Sequence, residues 1–328
     1  MALITNTGNI SLALAVWILH DEYDYIREEG YISVTGLMKP LRQIILPSRI
    51  PPEQQAHDVQ DFIAQALGKS IHDSIEKAWT KDPESKLRKL GIPEHVISTV
   101  KVNPTHDEVK ANPDCIPIYL EQRAIREFRG RKIGGKFDMV AEGIVQDNKS
   151  TSAFAWAGGT RDDEHRLQLS LYRWIDAAQG HRKITEDFGI INYVFTDWSK
   201  MMAKQNPKYP QKRVEQKRIE LLSLEETERW IINKIKMIDT FFEVEEPIIP
   251  ECTDEELWRS DPKYKYFSDP AKATVPGARS TKNFDNIIEA NNHLSQAGKG
   301  IVMTFPGEPK RCGYCAAFEV CSQKDRYL

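Results

Sequence analysis

Glu121-Gln-Arg-Ala-Ile-Arg-Glu-Phe-Arg-Gly-Arg-Lys-Ile-Gly-Gly-Lys-Phe-Asp138 opens the stretch that decides the fold. It continues as Met-Val-Ala-Glu-Gly-Ile-Val-Gln-Asp147-Asn-Lys149-Ser-Thr and, after a Gly-rich break, His165-Arg-Leu-Gln168-Leu-Ser-Leu-Tyr172. Short apolar runs at Ile133, Phe137 to Val140 and Ile144 to Val145, with Gly134, Gly135 and Gly143 between them, read as a meander of short strands, and a helix follows. Side chains alternate along a strand, so Asp147 and Lys149 share a face, with Asp138 near the end of the strand before. Two carboxylates and an ammonium group brought together repel or lose hydration unless something uses them. A hard divalent cation answers to that description, because it takes carboxylate oxygens and retains waters, one of which becomes a nucleophile. Lys149 would then orient that water or offset charge developing on a phosphate. The plain alternative is a solvated Asp-x-Lys pair on one strand, and two polar residues, Gln168 and Tyr172, one turn apart on an amphipathic helix.

Working outward, the expected fold class is α/β: a mixed central sheet flanked by helices, with an N-terminal helical region and a C-terminal cap that contains cysteines. The expected segments are 1–112, 113–245 and 246–328. At 328 residues the chain has ample material for a buried core, and 45 Lys+Arg against 48 Asp+Glu give a net charge of −3, so no overall basic character advertises nucleic acid. A local cluster, Arg123, Arg126, Arg129, Arg131, Lys132 and Lys136, is the candidate positive lining, or else a solubilising face. No apolar run approaches the roughly 20 residues that span a bilayer. The N-terminus lacks a signal peptide's flank and cleavage pattern, and the expectation is a cytoplasmic protein.

Ile10 to Glu29 and Val59 to Trp79 have helical periodicity, with Gly68 a candidate break in the second. Ser33 or Thr35 is placed to cap a short helix that Pro40 interrupts or restarts. The chain from Asp82 to Pro113 is polar and Pro-punctuated. Gly189 to Thr196 reads as a core strand, Lys200 to Lys212 as a loop, Arg213 to Leu222 as a partner strand, and Ser223-Leu-Glu-Glu226 as a capping box opening a helix. Thr253 to Trp258 reads as a short capped helix. Trp258 to Phe267 alternates cations and rings, either a clamp for single-stranded DNA or a loop packing its rings on the domain. Thr281 to Ala297 reads as a helix, and Ile301 to Phe305 as a strand. The tail carries Cys312-Gly-Tyr-Cys315-Ala-Ala-Phe-Glu-Val-Cys321. Five cysteines with this bunching suggest thiolate ligands rather than a disulfide framework.

Asp138, then Asp147-Asn-Lys149, then Gln168-x-x-x-Tyr172 resembles the PD-(D/E)XK nuclease pattern, in the RecB-like branch that includes CRISPR-associated spacer-acquisition nucleases and many phage exonucleases. Val145-Gln-Asp147-Asn-Lys149-Ser-Thr151 matches that family's "viDyKTs" segment, Gln168-Leu-Ser-Leu-Tyr172 its "QL.lY" helix, and Gly68-Lys-Ser-Ile71-His72-Asp-Ser-Ile75-Glu76 its "G..iH..le" segment. The resemblance implies a metal-dependent DNA nuclease, an exonuclease of replication or recombination in a bacterium or a phage-infected host cell. In it His72, Asp138 and Asp147 hold Mg²⁺ or Mn²⁺ with backbone carbonyl help at Asn148. Lys149 places the attacking water, and Gln168 and Tyr172 orient the lysine or the DNA strand. Glu121 stands where the family has a glutamate, for contact through water or a plain salt bridge. DNA is the implied partner, with single-stranded-DNA-binding or recombination proteins alongside.

The cysteine triplet resembles the one that joins an upstream cysteine to hold a [4Fe–4S] cluster. Lys39 stands where that cysteine is expected, leaving Cys115 and Cys252. Cys115, just ahead of the meander, is taken with Cys312, Cys315 and Cys321 as the expected set, in a stapling role. A three-cysteine cluster, a Zn²⁺ site completed by another residue, and a metal-free remnant are the alternatives. Two rival functions are a non-catalytic DNA-binding protein that retains the fold, and a glycosidase, which would use two carboxylates but give Lys149 no role.

Overall fold

A computed structural model describes residues 3–51, 56–158 and 161–327. The chain divides into two compact units: unit 1 takes residues 1–39 and 52–236, and unit 2 takes residues 40–51 and 237–328. Unit 1 holds strands β1 (Leu3–Thr5), β2 (Tyr31–Ser33), β3 (Ala56–Asp58), β4 (Val100–Val102), β5 (Ile116–Phe128), β6 (Arg131–Ala141), β7 (Ile144–Thr151), β8 (Phe188–Phe195) and β9 (Val214–Glu220). Unit 2 holds β10 (Lys263–Phe267), β11 (Lys282–Phe284) and β12 (Ile301–Phe305), an antiparallel sheet with β10 central.

The main sheet runs β4-β5-β6-β7-β8-β9, with β2 added on β6. It is mixed, as expected. β5, β6 and β7 form an antiparallel meander, β8 and β9 are antiparallel, and β2, β4 and β8 lie parallel to their neighbours β6, β5 and β7. Both meander turns are two-residue connections with positive φ throughout, Arg129-Gly130 and Glu142-Gly143, the conformation that suits the twist of a hairpin. Parallel β7 and β8 require a crossover, and the helix Asp162–Asp176 lies within it.

That helix buries Leu169, Leu171, Tyr172, Trp174 and Ile175. Its close approach depends on missing side chains in the sheet. A Cβ on Gly135 would come within 2.6 Å of Tyr172 Cε1, and one on Gly189 within 2.7 Å of Leu169 Cδ1. Among the described residues, no helix is long and apolar enough to cross a membrane.

Several local expectations change. The helix expected over Ile10 to Glu29 covers only Leu12–Ile18, because Asp21 Oδ1 accepts the Tyr23 N–H at 3.0 Å and turns the chain. Ser33 does cap the next helix, accepting from the Gly36 N–H, and Leu41–Ile45 restarts after Pro40. Ile63–Thr80 runs unbroken through Gly68. The loop expected at Lys200 to Lys212 contains a helix, Lys200–Gln205, capped by Ser199. Thr253 and Glu256 exchange capping hydrogen bonds around a turn that no helix continues. Of the Trp258 to Phe267 stretch, Lys263–Phe267 forms β10, with Tyr266 and Phe267 buried. The helix expected from Thr281 starts only at Ile287, after β11, where Asn286 caps it.

The division into units also differs from the three segments read in the sequence. β2 and β4 pair directly with β6 and β5, so most of the N-terminal region belongs to the same unit as the meander. Residues 40–51 join unit 2, where Arg42, only 2% exposed, donates to the carbonyls of Ile249 and Pro250.

Candidate metal centre

The register of the meander lines up three carboxylates. Leu120 faces Met139 and Gln122 faces Phe137, which sets Glu121 across from Asp138. Met139 faces Gln146, so Asp138 and Asp147 follow one step beyond the last paired position. Against these strands the helix Ile63–Thr80 brings His72, whose Nδ1 lies 3.4 Å from Asp138 Oδ1 and 3.7 Å from Glu121 Oε1. Among the described residues, His72, Glu121 and Asp138 are the one group of three metal-ligating side chains with ligand atoms within 4.8 Å of one another.

His72 Nε2 sits 3.0 Å from the Asn148 carbonyl oxygen. A carbonyl only accepts, so Nε2 carries the proton and Nδ1 is left to face the carboxylates, the orienting arrangement typical of a ligating histidine. The Asn148 carbonyl, expected to help hold the metal, orients His72, while the Asn148 N–H donates to Asp138 Oδ2 at 2.7 Å, so one residue aligns two candidate ligands.

Asp147 is 2% exposed, and its oxygens are engaged from both sides. Lys149 Nζ lies 2.6 Å from Oδ2, and Gln168 Nε2 donates to Oδ1 at 3.0 Å. Gln168 Nε2 also lies 3.2 Å from the Tyr172 hydroxyl, to which it donates. The sequence-read set of His72, Asp138, Asp147, Lys149, Gln168 and Tyr172 therefore converges on one place.

Electrostatics bind the set together. Burial pushes the Asp147 carboxyl up, against the pull of Lys149. Burial would lower the His72 pKa, but Asp138, Glu121 and Asp147 hold it at about 10. Burial works against the Lys149 charge as well, yet Asp147 outweighs it and keeps the ammonium. Lys136 Nζ, 2.9 Å from Glu121 Oε2, behaves in the same way.

Two residues were given too little weight in the sequence. Glu121 is a third carboxylate of the centre, held with its backbone at φ 49°, an uncommon conformation for a non-glycine residue inside a strand. His165 is 4% exposed and lines a cavity with Lys149, Ser150, Thr151, Arg161 and Tyr193. Burial, then Lys149, pushes the His165 pKa down to about 4, which keeps the imidazole neutral, and its Nδ1 has no hydrogen-bond partner. His165, Gln168 and Tyr172 recur at helical spacing, which was the available signal.

The expected basic lining is mostly paired off. Arg123 binds Asp24, Arg126 binds Glu228 and lies over the Trp174 ring, and Lys132 binds Glu28.

In unit 2, Cys312, Cys315 and Cys321 line one pocket, and the fourth thiol there is Cys252. Burial, then Glu256, Cys321 and Cys315, pushes the Cys252 thiol up to about 12. Cys115, the expected fourth member, belongs to unit 1, in the turn that leads into β5, where its N–H donates to the Asn112 carbonyl at 3.0 Å. Order along the chain put Cys115 next to the meander, but the tail that carries the triplet folds with residues 237–328.

No family model matches the chain, and no curated protein matches it. Among solved structures, one described as the crystal structure of SSO0001 is 19% identical and aligns over 69% of this chain and 85% of that chain, with a TM-score of 0.39.

Proposed function

We propose that His72, Glu121, Asp138 and Asp147, with Lys149, form the active site of a divalent-metal-dependent nuclease of the PD-(D/E)XK type, RecB-like branch, hydrolysing phosphodiester bonds in DNA. The observation that carries this reading is the convergence of side chains from three strands and a helix, among them a histidine whose Nε2 is already committed to a carbonyl. One imidazole and several carboxylates form a donor set that fits Mg²⁺ or Mn²⁺. When bound, the ion would polarise a phosphoryl oxygen and lower the pKa of a water.

The chain's own groups do the rest. Asn148 aligns His72 and Asp138, and Gln168 fixes Asp147 while Tyr172 accepts from Gln168. Lys149 holds its ammonium at the edge of the carboxylates, where it offsets charge that develops on a phosphate and orients the attacking water. The cavity of Lys149, Arg161 and neutral His165 extends this edge. DNA as the polymer, and exonucleolytic attack from an end, rest on the resemblance.

The test is cleavage of linear single- and double-stranded DNA by the purified chain with Mg²⁺ or Mn²⁺, in the presence and absence of EDTA. Cleavage should require the metal. Asp138→Ala and Asp147→Ala should each abolish it while circular dichroism stays unchanged, and retained cleavage in either variant overturns the assignment. A chain that binds DNA but never cuts it is the non-catalytic alternative.

A further inference from the structure

The hydrolytic reading leaves unused four thiols and a buried guanidinium in unit 2. Cys252, Cys312, Cys315 and Cys321 line one pocket together with Arg42, Leu257 and Phe318. Three of these thiols come from one short run, whereas Cys252 arrives from a distant segment, and the fold fastens it there. Gln323, 3% exposed, accepts the Cys252 N–H at 2.9 Å and donates to the Cys252 carbonyl at 2.8 Å, two residues after Cys321. Both bonds go to backbone, which leaves the Cys252 side chain for the pocket.

Arg42 supplies the second observation. Its guanidinium is buried, pairs with Glu246, and places Nη1 3.4 Å from Cys321 Sγ. Glu246 and the carbonyls of Ile249 and Pro250 already compensate that cation, so Cys321 is an additional acceptor, and a weak one as a neutral thiol. A metal-bound sulfur is a thiolate, because coordination removes the proton outright, and then the contact becomes a charge-assisted hydrogen bond.

We propose that Cys252 completes a tetrathiolate site with Cys312, Cys315 and Cys321 for a [4Fe–4S] cluster, and that Arg42 is a positioning residue that donates to the Cys321 sulfur. The resemblance implies a fourth cysteine upstream of the nuclease core. In this chain Lys39 stands in that place, and Arg42, three residues on, contributes a hydrogen bond where a ligand was expected. A single tetrahedral Zn²⁺ with bonds near 2.3 Å draws its sulfurs to about 3.8 Å from one another, whereas among the described residues no three of these sulfurs lie within 4.8 Å of each other.

The proposal is independent of the nuclease reading, and its test never measures cleavage. The full chain, purified without oxygen or reconstituted with iron and sulfide, should carry about four iron and four sulfide per molecule, with absorbance near 400 nm. Alkylation of that loaded protein should modify Cys115 and spare the other four cysteines. Cys252→Ser should lose most of the iron and the absorbance, and Cys115→Ser should keep both. Should Cys252→Ser not fold, the alkylation pattern of the unmutated protein decides. Arg42→Gln should retain iron but move the reduction potential to more negative values, since the cluster loses a cation beside its sulfur.

One zinc per chain without iron, full iron in a folded Cys252→Ser, or a protected Cys115 beside an alkylated Cys252 would overturn the ligand assignment. An unchanged potential in Arg42→Gln would overturn the role of the arginine.

Discussion

Divalent-metal binding at the His72–Glu121–Asp138 group is expected to be linked to protons, with Mn²⁺ affinity rising as pH rises. Burial works against a charged His72, but Asp138, Glu121 and Asp147 hold its pKa at about 10. At pH 7 that leaves roughly one imidazole in a thousand neutral. A ligating imidazole must be neutral, so the metal displaces the proton that the raised pKa retains. The group is protonated below its folded pKa, hence the competition is strongest at low pH and fades as pH approaches about 10. Each pH unit below that point weakens apparent affinity about tenfold, or ~1.4 kcal/mol, which sums to about 4 kcal/mol at pH 7. Between pH 6.5 and 8.5 the apparent affinity should therefore climb close to a hundredfold, by roughly tenfold per unit. Calorimetric titration of the full chain with Mn²⁺, in two buffers that differ in ionisation enthalpy, reads the proton count directly; about one proton per metal is expected. His72→Gln removes the titrating group and should flatten the slope. Affinity that stays constant across this range, or heats that do not depend on the buffer, would refute the placement of His72 Nδ1 on the metal.

Gln168→Leu removes the donor from buried Asp147 Oδ1 and should lower the metal-free stability of unit 1 by about 2 kcal/mol, ~4–8 °C in its thermal transition. The same change should slow DNA cleavage by roughly 10–100-fold, measured as initial rates. Lys149→Met strips the counter-charge from Asp147, and the expected cost of about 3 kcal/mol without metal should shrink on adding Mn²⁺, while cleavage stays down by about 10²–10³-fold. Stability in urea with and without Mn²⁺ checks the first part, and rates check the second. Gly135→Ala would press its Cβ to 2.6 Å from Tyr172 Cε1 and 2.9 Å from Val34 Cγ2. Overpacking of that kind costs about 1–3 kcal/mol, read as a lower urea midpoint, and cleavage should fall with it because the Tyr172 helix is displaced.

The meander was legible because its turns carry glycines and its strands alternate around Asp138 and Asp147. β5 was not, although it is the longest strand at 13 residues. Its run Gln122-Arg-Ala-Ile-Arg-Glu-Phe128 has little apolar alternation, and its arginines reach partners far along the chain, such as Asp24 and Glu228. Local pattern cannot register such pairs. The same limit left the choice between Cys115 and Cys252 open in the sequence. Cys252 reaches the triplet through Gln323, a side chain 71 positions away, whereas Cys115 had only its nearness to the meander to recommend it. His165 and Glu121 were visible as residues; what could not be read was burial for one and a left-handed backbone for the other.

Glu121 shows how the centre is built. A non-glycine residue at φ 49° costs on the order of 1–3 kcal/mol, yet the β5–β6 register continues unshifted on both sides of it. Glycine would relieve that cost and serve the strand equally well, but only an acid supplies the third carboxylate. Each carboxylate then has a cation: Lys136 for Glu121 at 2.9 Å, Lys149 for Asp147 at 2.6 Å, and His72 for Asp138 at 3.4 Å, with His72 also 3.7 Å from Glu121. Both lysines are held as ammonium groups by their partners, so His72 is the one cation that can shed its charge without leaving. An incoming metal is therefore expected to settle on the His72, Asp138 and Glu121 side, where a proton can depart. Lys149 keeps its charge against Asp147 Oδ2, where it lines the cavity with Arg161 and His165. That asymmetry separates the place where a metal would be held from the edge where a phosphate would approach.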